Sequence, residues 1–213
     1  MTSSTDGFVE IPVDDVALEG ALDVPPDAPG VVVFAHGSGS SRKSPRNNYV
    51  ADVIRERGVG TLLFDLLTEV EDRDRQNRFD IPLLTDRLVG VTRWLWNREE
   101  TAGTNVGYFG SSTGAAAALR AAARLNEDVD AVVSRGGRVD LASAALGDVR
   151  APTLFVVGGA DTQVLQLNRE AAEALTCEHD LPVVEGAGHL FEAEGDLEEV
   201  ADVAADWFER TLA

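Results

Sequence analysis

A chain of 213 residues can bury one sizeable core, and its 44% apolar content is ordinary for a globular protein, so a single domain over residues 1–213 is expected. Thirty-seven acidic residues face 18 basic ones, a net charge of −19, and Lys43 is the only lysine; a basic surface for nucleic acid is excluded. No apolar run reaches membrane-spanning length, so no membrane partner is expected.

The opening residues Met1–Asp6 carry neither a basic region nor an apolar segment, and no signal peptide is expected there. Phe8 to Val13 alternates as an edge strand, Ala17 to Leu22 alternates again, and Val13–Val16 turns between them, which predicts an N-terminal hairpin. Pro25 to Gly30 breaks both helix and strand. Val31 to Ala35 is the first continuous apolar run, of the length of a buried parallel strand, and a Gly/Ser-rich loop follows from His36 to Ser41.

Pro45 to Arg57 reads as a helix ended by Gly58, and Gly60 to Phe64 as the next buried strand. Glu69 to Phe79 is polar and charged and reads as a surface loop able to order over the site. From Asp80 to Arg98, Ile81, Leu84, Leu88, Val91 and Leu95 recur at helical steps. Val106 to Phe109 is a strand and Thr113 to Arg124 an alanine-rich helix.

Ala131 to Ser134 is a further strand, Asp140 to Leu146 at most a short helix, and Thr153 to Val157 a strand. Leu165 to Leu175 is a helix, His179 to Val184 the last strand and Leu197 to Leu212 the closing helix. Cys177 is the only cysteine, so no disulfide within the chain and no cysteine metal cluster is possible; it reads as a partly buried thiol in a reducing cytoplasm. The acidic runs Glu69–Asp72 and Glu192–Glu199 read as solvated faces rather than metal sites. Together with the near absence of lysine they point to a halophilic protein.

Alternation of strand and helix from residue 31 onward predicts an α/β fold. The expected architecture is a mostly parallel sheet with an antiparallel N-terminal hairpin, helices on both faces and no large lid domain. Four strands end in polar, glycine-rich stretches: His36-Gly37-Ser38-Gly39, Gly110-Ser111-Ser112-Thr113, Gly159-Ala160-Asp161 and Gly188-His189. Gly110 to Gly114 spells G-x-S-x-G between a strand and a helix, which puts Ser112 on a sharp corner as candidate nucleophile. The chain order Ser112, Asp161, His189 is that of the α/β-hydrolase triad.

These stretches, with Phe64-Asp65-Leu66-Leu67-Thr68, Val133-Ser134-Arg135-Gly136-Gly137-Arg138 and Gly188-His189-Leu190-Phe191-Glu192, resemble the dienelactone-hydrolase-like group of α/β-hydrolases. The likeness is greatest to the small hydrolase domains also found fused to phosphoribosyltransferases, and it runs from about Phe8 to Leu212. It implies the α/β-hydrolase fold and hydrolysis at Ser112. Dienelactone hydrolases proper carry a cysteine at the elbow, so Ser112 points to other esters. No phosphoribosyltransferase portion is present, and that activity is not implied.

Chemically, the Ser112 hydroxyl needs a base, which His189 supplies, while Asp161 fixes the imidazole tautomer. The backbone amides of Thr113 and Ser38 are the expected oxyanion donors, with His36 bracing their loop. Gly37 to Ser44 approaches two phosphate-binding patterns, but both require glycine where Arg42 stands. Arg135 and Arg138 are candidates for recognising a carboxylate or phosphate on the substrate; the plainer reading is a salt bridge to a neighbour such as Asp140. The expected function is a cytoplasmic serine hydrolase of a small-molecule carboxylic ester or thioester, without metal or organic cofactor. The alternative is a non-catalytic binding or scaffolding protein of the same fold.

Overall fold

The computed structural model describes residues 7–213; Met1–Asp6, read above as free of a leader, lie outside the described residues. β1 (Phe8–Val13) and β2 (Val16–Asp23) form the antiparallel hairpin, with Asp14 at φ 51° in the two-residue turn. Hairpin turns of this hand need positive φ, which aspartate tolerates better than bulkier side chains. β2 joins β4 (Gly60–Phe64) antiparallel, and from there the sheet is parallel: β4, β3 (Gly30–Ala35), β5 (Asn105–Ser111), β6 (Ala131–Arg135), β7 (Thr153–Gly158). β3, β4 and β7 are buried at every position, and β5 and β6 at all but one terminal residue each, as strands covered on both faces must be.

α1 (Pro45–Glu56) and the last helix, α6 (Asp196–Thr211), cover one face around Phe34, Phe109, Val133 and Val156. α3 (Ile81–Trp96), α4 (Thr113–Leu125) and α5 (Thr162–Ala174) cover the other. The stripe predicted on α3 is its buried side, and the alanines of α4 let its axis lie close on the sheet. The core on the α3–α5 face takes in residues of every strand from β1 to β7, and the core on the α1/α6 face residues of β3 to β7.

Three expectations change. The 69–79 segment is not a plain loop: it holds a short helix, α2 (Glu69–Asp72), and a 3-10 turn at Asn77–Phe79. A capping box makes this possible, for Thr68 Oγ1 accepts from Glu71 N (3.2 Å) while Glu71 Oε2 accepts from Thr68 N (2.8 Å). Arg87 Nη2 then donates to Glu71 Oε1 (2.7 Å), and Arg78 forks onto Asp72 with two bonds of 2.8 Å. Burial opposes ionisation of Glu71, but the bonds from Thr68 and Arg87 outweigh it and hold its carboxyl below the usual range.

The strand expected over 179–184 is two short pieces, β8 (His179–Asp180) and β9 (Val183–Val184), each parallel to β7. Pro182 lacks an N–H and interrupts the ladder between them. The stretch expected to be at most a short helix is a ten-residue 3-10 segment, Val139–Asp148. Packed against both α4 and α5, this connection between β6 and β7 leaves no inserted lid.

Candidate active site

Register brings the parallel strands to a common edge, for Ala35 pairs with Gly110, Ser111 with Arg135, and Arg135 with Val156. At that edge Ser112 has φ 49° and ψ −118°, a conformation few non-glycine residues adopt, and it turns β5 directly into α4. Two backbone bonds pin it: Ser112 N donates to Arg135 O (3.2 Å), and Arg138 N donates to Ser112 O (3.0 Å). The flanking glycines are there for close approach. A Cβ on Gly114 would lie 2.1 Å from Ala35 O, and one on Gly110 would lie 2.5 Å from Ala115 Cα.

Asp161 and His189 meet: His189 Nδ1 lies 2.7 Å from Asp161 Oδ2, the aspartate largely buried and the ring 40% exposed. Their loops are tied backbone to backbone, with Gly159 N donating to Val184 O (2.8 Å) and Ala160 N to Ala187 O (2.9 Å). Phe191, at φ 52°, turns the chain after His189 and buries its ring among the α1 and α6 side chains. The imidazole lies over Gly136, whose added Cβ would be 3.5 Å from His189 Cε1. Gly136 follows Arg135, the residue that accepts the Ser112 amide, so the ring stands beside the elbow. Among the described residues no hydrogen bond joins Ser112 Oγ to His189.

Ser38 and Thr113 are also brought together, but with a difference. Ser38 N donates to Thr113 Oγ1 (2.9 Å), so this amide already has an acceptor. Gly37 packs on Ser112, 3.2 Å separating its would-be Cβ from Ser112 Cβ. His36 braces this loop as expected. Leu66 N donates to His36 Nε2 (3.0 Å), which places the ring proton on Nδ1, facing Gly37 O at 3.0 Å. Burial pushes the His36 pKa down, against smaller opposing effects of Gly37 O, Asp65 and Asp72.

A protonated His36 loses the bond from Leu66, so pH reports on this brace. Because the folded pKa is lowered, the stabilisation is fully present above about pH 6.5 and is lost as pH falls toward the folded value. Urea denaturation between pH 8 and 5 should show falling stability, and His36→Gln should flatten the slope in that window. An identical slope in the variant would assign the effect to other groups.

The two arginines separate. Arg138 forks onto Asp140 (Nε–Oδ1 2.9 Å, Nη2–Oδ2 2.8 Å), the plainer of the two readings, and Arg138 in turn lowers the Asp140 pKa. It also lines a cleft of about 280 Å³ with Asp161, Gln163, Val164, Leu167 and His189. Arg135 makes no such pair. It lies over the Phe109 ring, 5.8 Å from the centroid, and burial with the nearby charge of Arg46 lowers its pKa to about 10. Ser111, its in-register partner on β5, is buried and was not singled out from sequence, because a serine next to a G-x-S-x-G nucleophile carries no pattern of its own.

A larger cavity of about 390 Å³ lies beyond His36, lined in part by Arg42, Lys43, Asp65 and Asp72. Arg42, the residue that breaks both phosphate patterns, is spent there on Asp65 (3.3 Å) and Glu19 (2.5 Å). No described helix is long and apolar enough to cross a membrane.

The model of the dienelactone hydrolase family matches residues 18–213. Two putative phosphoribosyl transferases of Mycobacterium tuberculosis are each 56% identical over 203 residues, 95% of this chain and 46% of theirs. The chain therefore spans about half the length of the curated relatives it matches. A dienelactone hydrolase from Anabaena variabilis has the same structure to a TM-score of 0.95 at 52% identity, covering 97% of both chains. Est1E from Butyrivibrio proteoclasticus shares the fold, with a TM-score of 0.82 at 15% identity over 97% of this chain and 99% of that one. The chain belongs to the dienelactone hydrolase family and folds as an α/β hydrolase.

Proposed function

We propose that this chain is a serine hydrolase that cleaves a carboxylic ester or thioester through an acyl-serine intermediate. The observation that carries the reading is the 2.7 Å pair of His189 Nδ1 and Asp161 Oδ2, set beside the strained elbow. With Nδ1 committed to the carboxylate, Nε2 is left as the base. Ser112 Oγ adds to the substrate carbonyl as His189 Nε2 takes its proton. Collapse of the tetrahedral adduct breaks the bond to the leaving group, which departs with that proton. A water, deprotonated by the same nitrogen, then releases the acid and restores Ser112.

The Ser112–His189 contact closes when substrate binds, as catalytic hydrogen bonds of free enzymes commonly do. The oxyanion is received by the N–H of Thr113, at the positive end of α4, and by Ser38 N, which exchanges the Thr113 hydroxyl for the developing charge. A fluorophosphonate probe tests the reading. Labelling of the wild type that disappears in Ser112→Ala supports it. An unlabelled, folded wild type favours instead a binding protein, a reading that the already satisfied Ser38 amide also allows.

The same reading includes adaptation to salt. A net charge of −19 repels itself at low ionic strength, and the repulsion is screened as salt rises. The melting temperature should climb between low and molar KCl; a flat or falling curve removes the halophilic assignment.

A further inference from the structure

The cavity of about 390 Å³ stands at the ends of β3 and β4, on the opposite side of β5 from Asp161 and His189. Its size falls within the range of small-molecule sites, about 300–1,000 Å³. β2 supplies Glu19, the loop after β3 supplies Ser40 and Lys43, and the segment after β4 supplies Asp65, Glu69 and Asp72. Three stretches distant in sequence thus build one polar wall, and no step of the hydrolysis above uses it. A narrow hollow shares His36, Leu67 and Asp72 with this cavity and reaches Gly37 and Ser38. The cavity is therefore one loop away from Ser112, on which Gly37 packs.

The charges of this wall are already met. Asp65 accepts from Arg42 N (2.7 Å) and Arg42 Nη1 (3.3 Å), and Glu19 accepts from Arg42 Nη2 (2.5 Å). Glu69 pairs with Arg73 (3.4 Å) and Asp72 with Arg78 (2.8 Å). Lys43 brings the cations to four against four carboxylates. An anion would enter beside the carboxylates and a cation beside Arg42 and Lys43, while an apolar group would strip water from all of them. A neutral group rich in hydroxyls meets none of these costs, because each hydroxyl both donates and accepts. Carboxylate oxygens keep lone pairs beyond one bond each, and Lys43 and Ser40 Oγ have no side-chain partner among the described residues. Ala17 and Leu67 add a small apolar area for the C–H face of such a ligand.

We propose that this cavity binds a neutral polyol of monosaccharide size, and that the esters cleaved at Ser112 are acylated sugars whose sugar is the leaving group. The second half rests on the serine-hydrolase reading; the first does not. The two sides of an ester then lie on the two sides of β5: a short acyl chain against Val164 and Leu167 in the 280 Å³ cleft, the polyol in the cavity beyond His36. The acyl–oxygen bond breaks, the sugar oxygen leaves with the proton held by His189 Nε2, and water restores Ser112 and releases the acid.

The test compares two acetates of one shape, the primary acetate of methyl glucopyranoside and cyclohexylmethyl acetate, which differ in the hydroxyls and ring oxygen. Wild type should favour the sugar ester by about 10- to 100-fold in kcat/KM, the range of two or three net hydrogen bonds. Ala17→Trp, at an exposed position of β2, should fill the cavity and bring the ratio toward one. Ser40→Ala with Lys43→Met should lower it partway. A wild type without the preference, or a ratio that Ala17→Trp leaves unchanged, overturns the proposal.

Binding is measured separately in Ser112→Ala, where no turnover is needed. Saturation-transfer NMR with methyl glucopyranoside should show contact that Ala17→Trp removes and that inorganic phosphate does not displace. Displacement by phosphate overturns the assignment to a neutral ligand. No contact with a folded Ser112→Ala overturns the site even where a fluorophosphonate labels the wild type. Contact without such labelling upholds the site and overturns its use on esters.

Discussion

Ser112→Ala should abolish ester turnover, with kcat falling about 10³- to 10⁶-fold, while the protein folds normally. The fall is large because the acyl-serine route needs this oxygen, and what survives is catalysis by binding and the oxyanion donors alone. Stability is spared because the Ser112 side chain forms no hydrogen bond with any described residue; what holds the residue is its backbone, through Arg135 O and Arg138 N. Those bonds keep φ at 49° whatever the side chain. Ser112→Gly should therefore be equally inactive and more stable, by about 1 kcal/mol, since strain at such a position costs roughly 1–3 kcal/mol and glycine escapes it at some cost in chain entropy. Steady-state kinetics and urea denaturation of the two variants give both quantities. An active Ser112→Ala would remove the nucleophile assignment, and a less stable glycine variant would remove the strain.

Gly114→Ala should have the largest effect on folding. Its added methyl would meet Ala35 O at 2.1 Å and His36 O at 2.5 Å, and both obstacles are backbone. No rotamer change relieves such a clash, so α4 must draw back from the end of β3. Overpacking of this severity costs about 3 kcal/mol. The same movement carries the His36–Gly39 loop away from Thr113, so fluorophosphonate labelling should drop even where the variant stays folded. Denaturation and labelling of one preparation test both. A variant as stable as wild type would mean that the strand and helix are not held as close as described.

The fold was legible because its signals are local and repeated. Five apolar runs of strand length, four of them followed by a helical stripe, permit little other than a parallel sheet covered on both faces. Boundaries failed where a single residue overrode the pattern. Pro182 split a strand that hydrophobicity made continuous, and Thr68 with Glu71 capped a helix in a stretch judged only by its polarity. The second signal was present as T-x-x-E, and it mattered because Glu71 also had a distant partner in Arg87.

For the site, the sequence by itself determined which groups stand at the sheet edge: Ser112, Asp161, His189, Ser38 and Thr113 all follow strand ends, and the chain order of the first three is what suggests the triad proposed above. What it could not determine is how each group's hydrogen bonds are spent, because partners are chosen across the fold. Only tertiary structure joins His189 to Asp161 and commits the Ser38 amide to Thr113 Oγ1. It also separates two arginines that look alike in Arg135-Gly136-Gly137-Arg138. One turns outward onto Asp140; the other, in register with Ser111, is carried under the edge of the sheet, where burial works against its charge and its Nη1 has no partner.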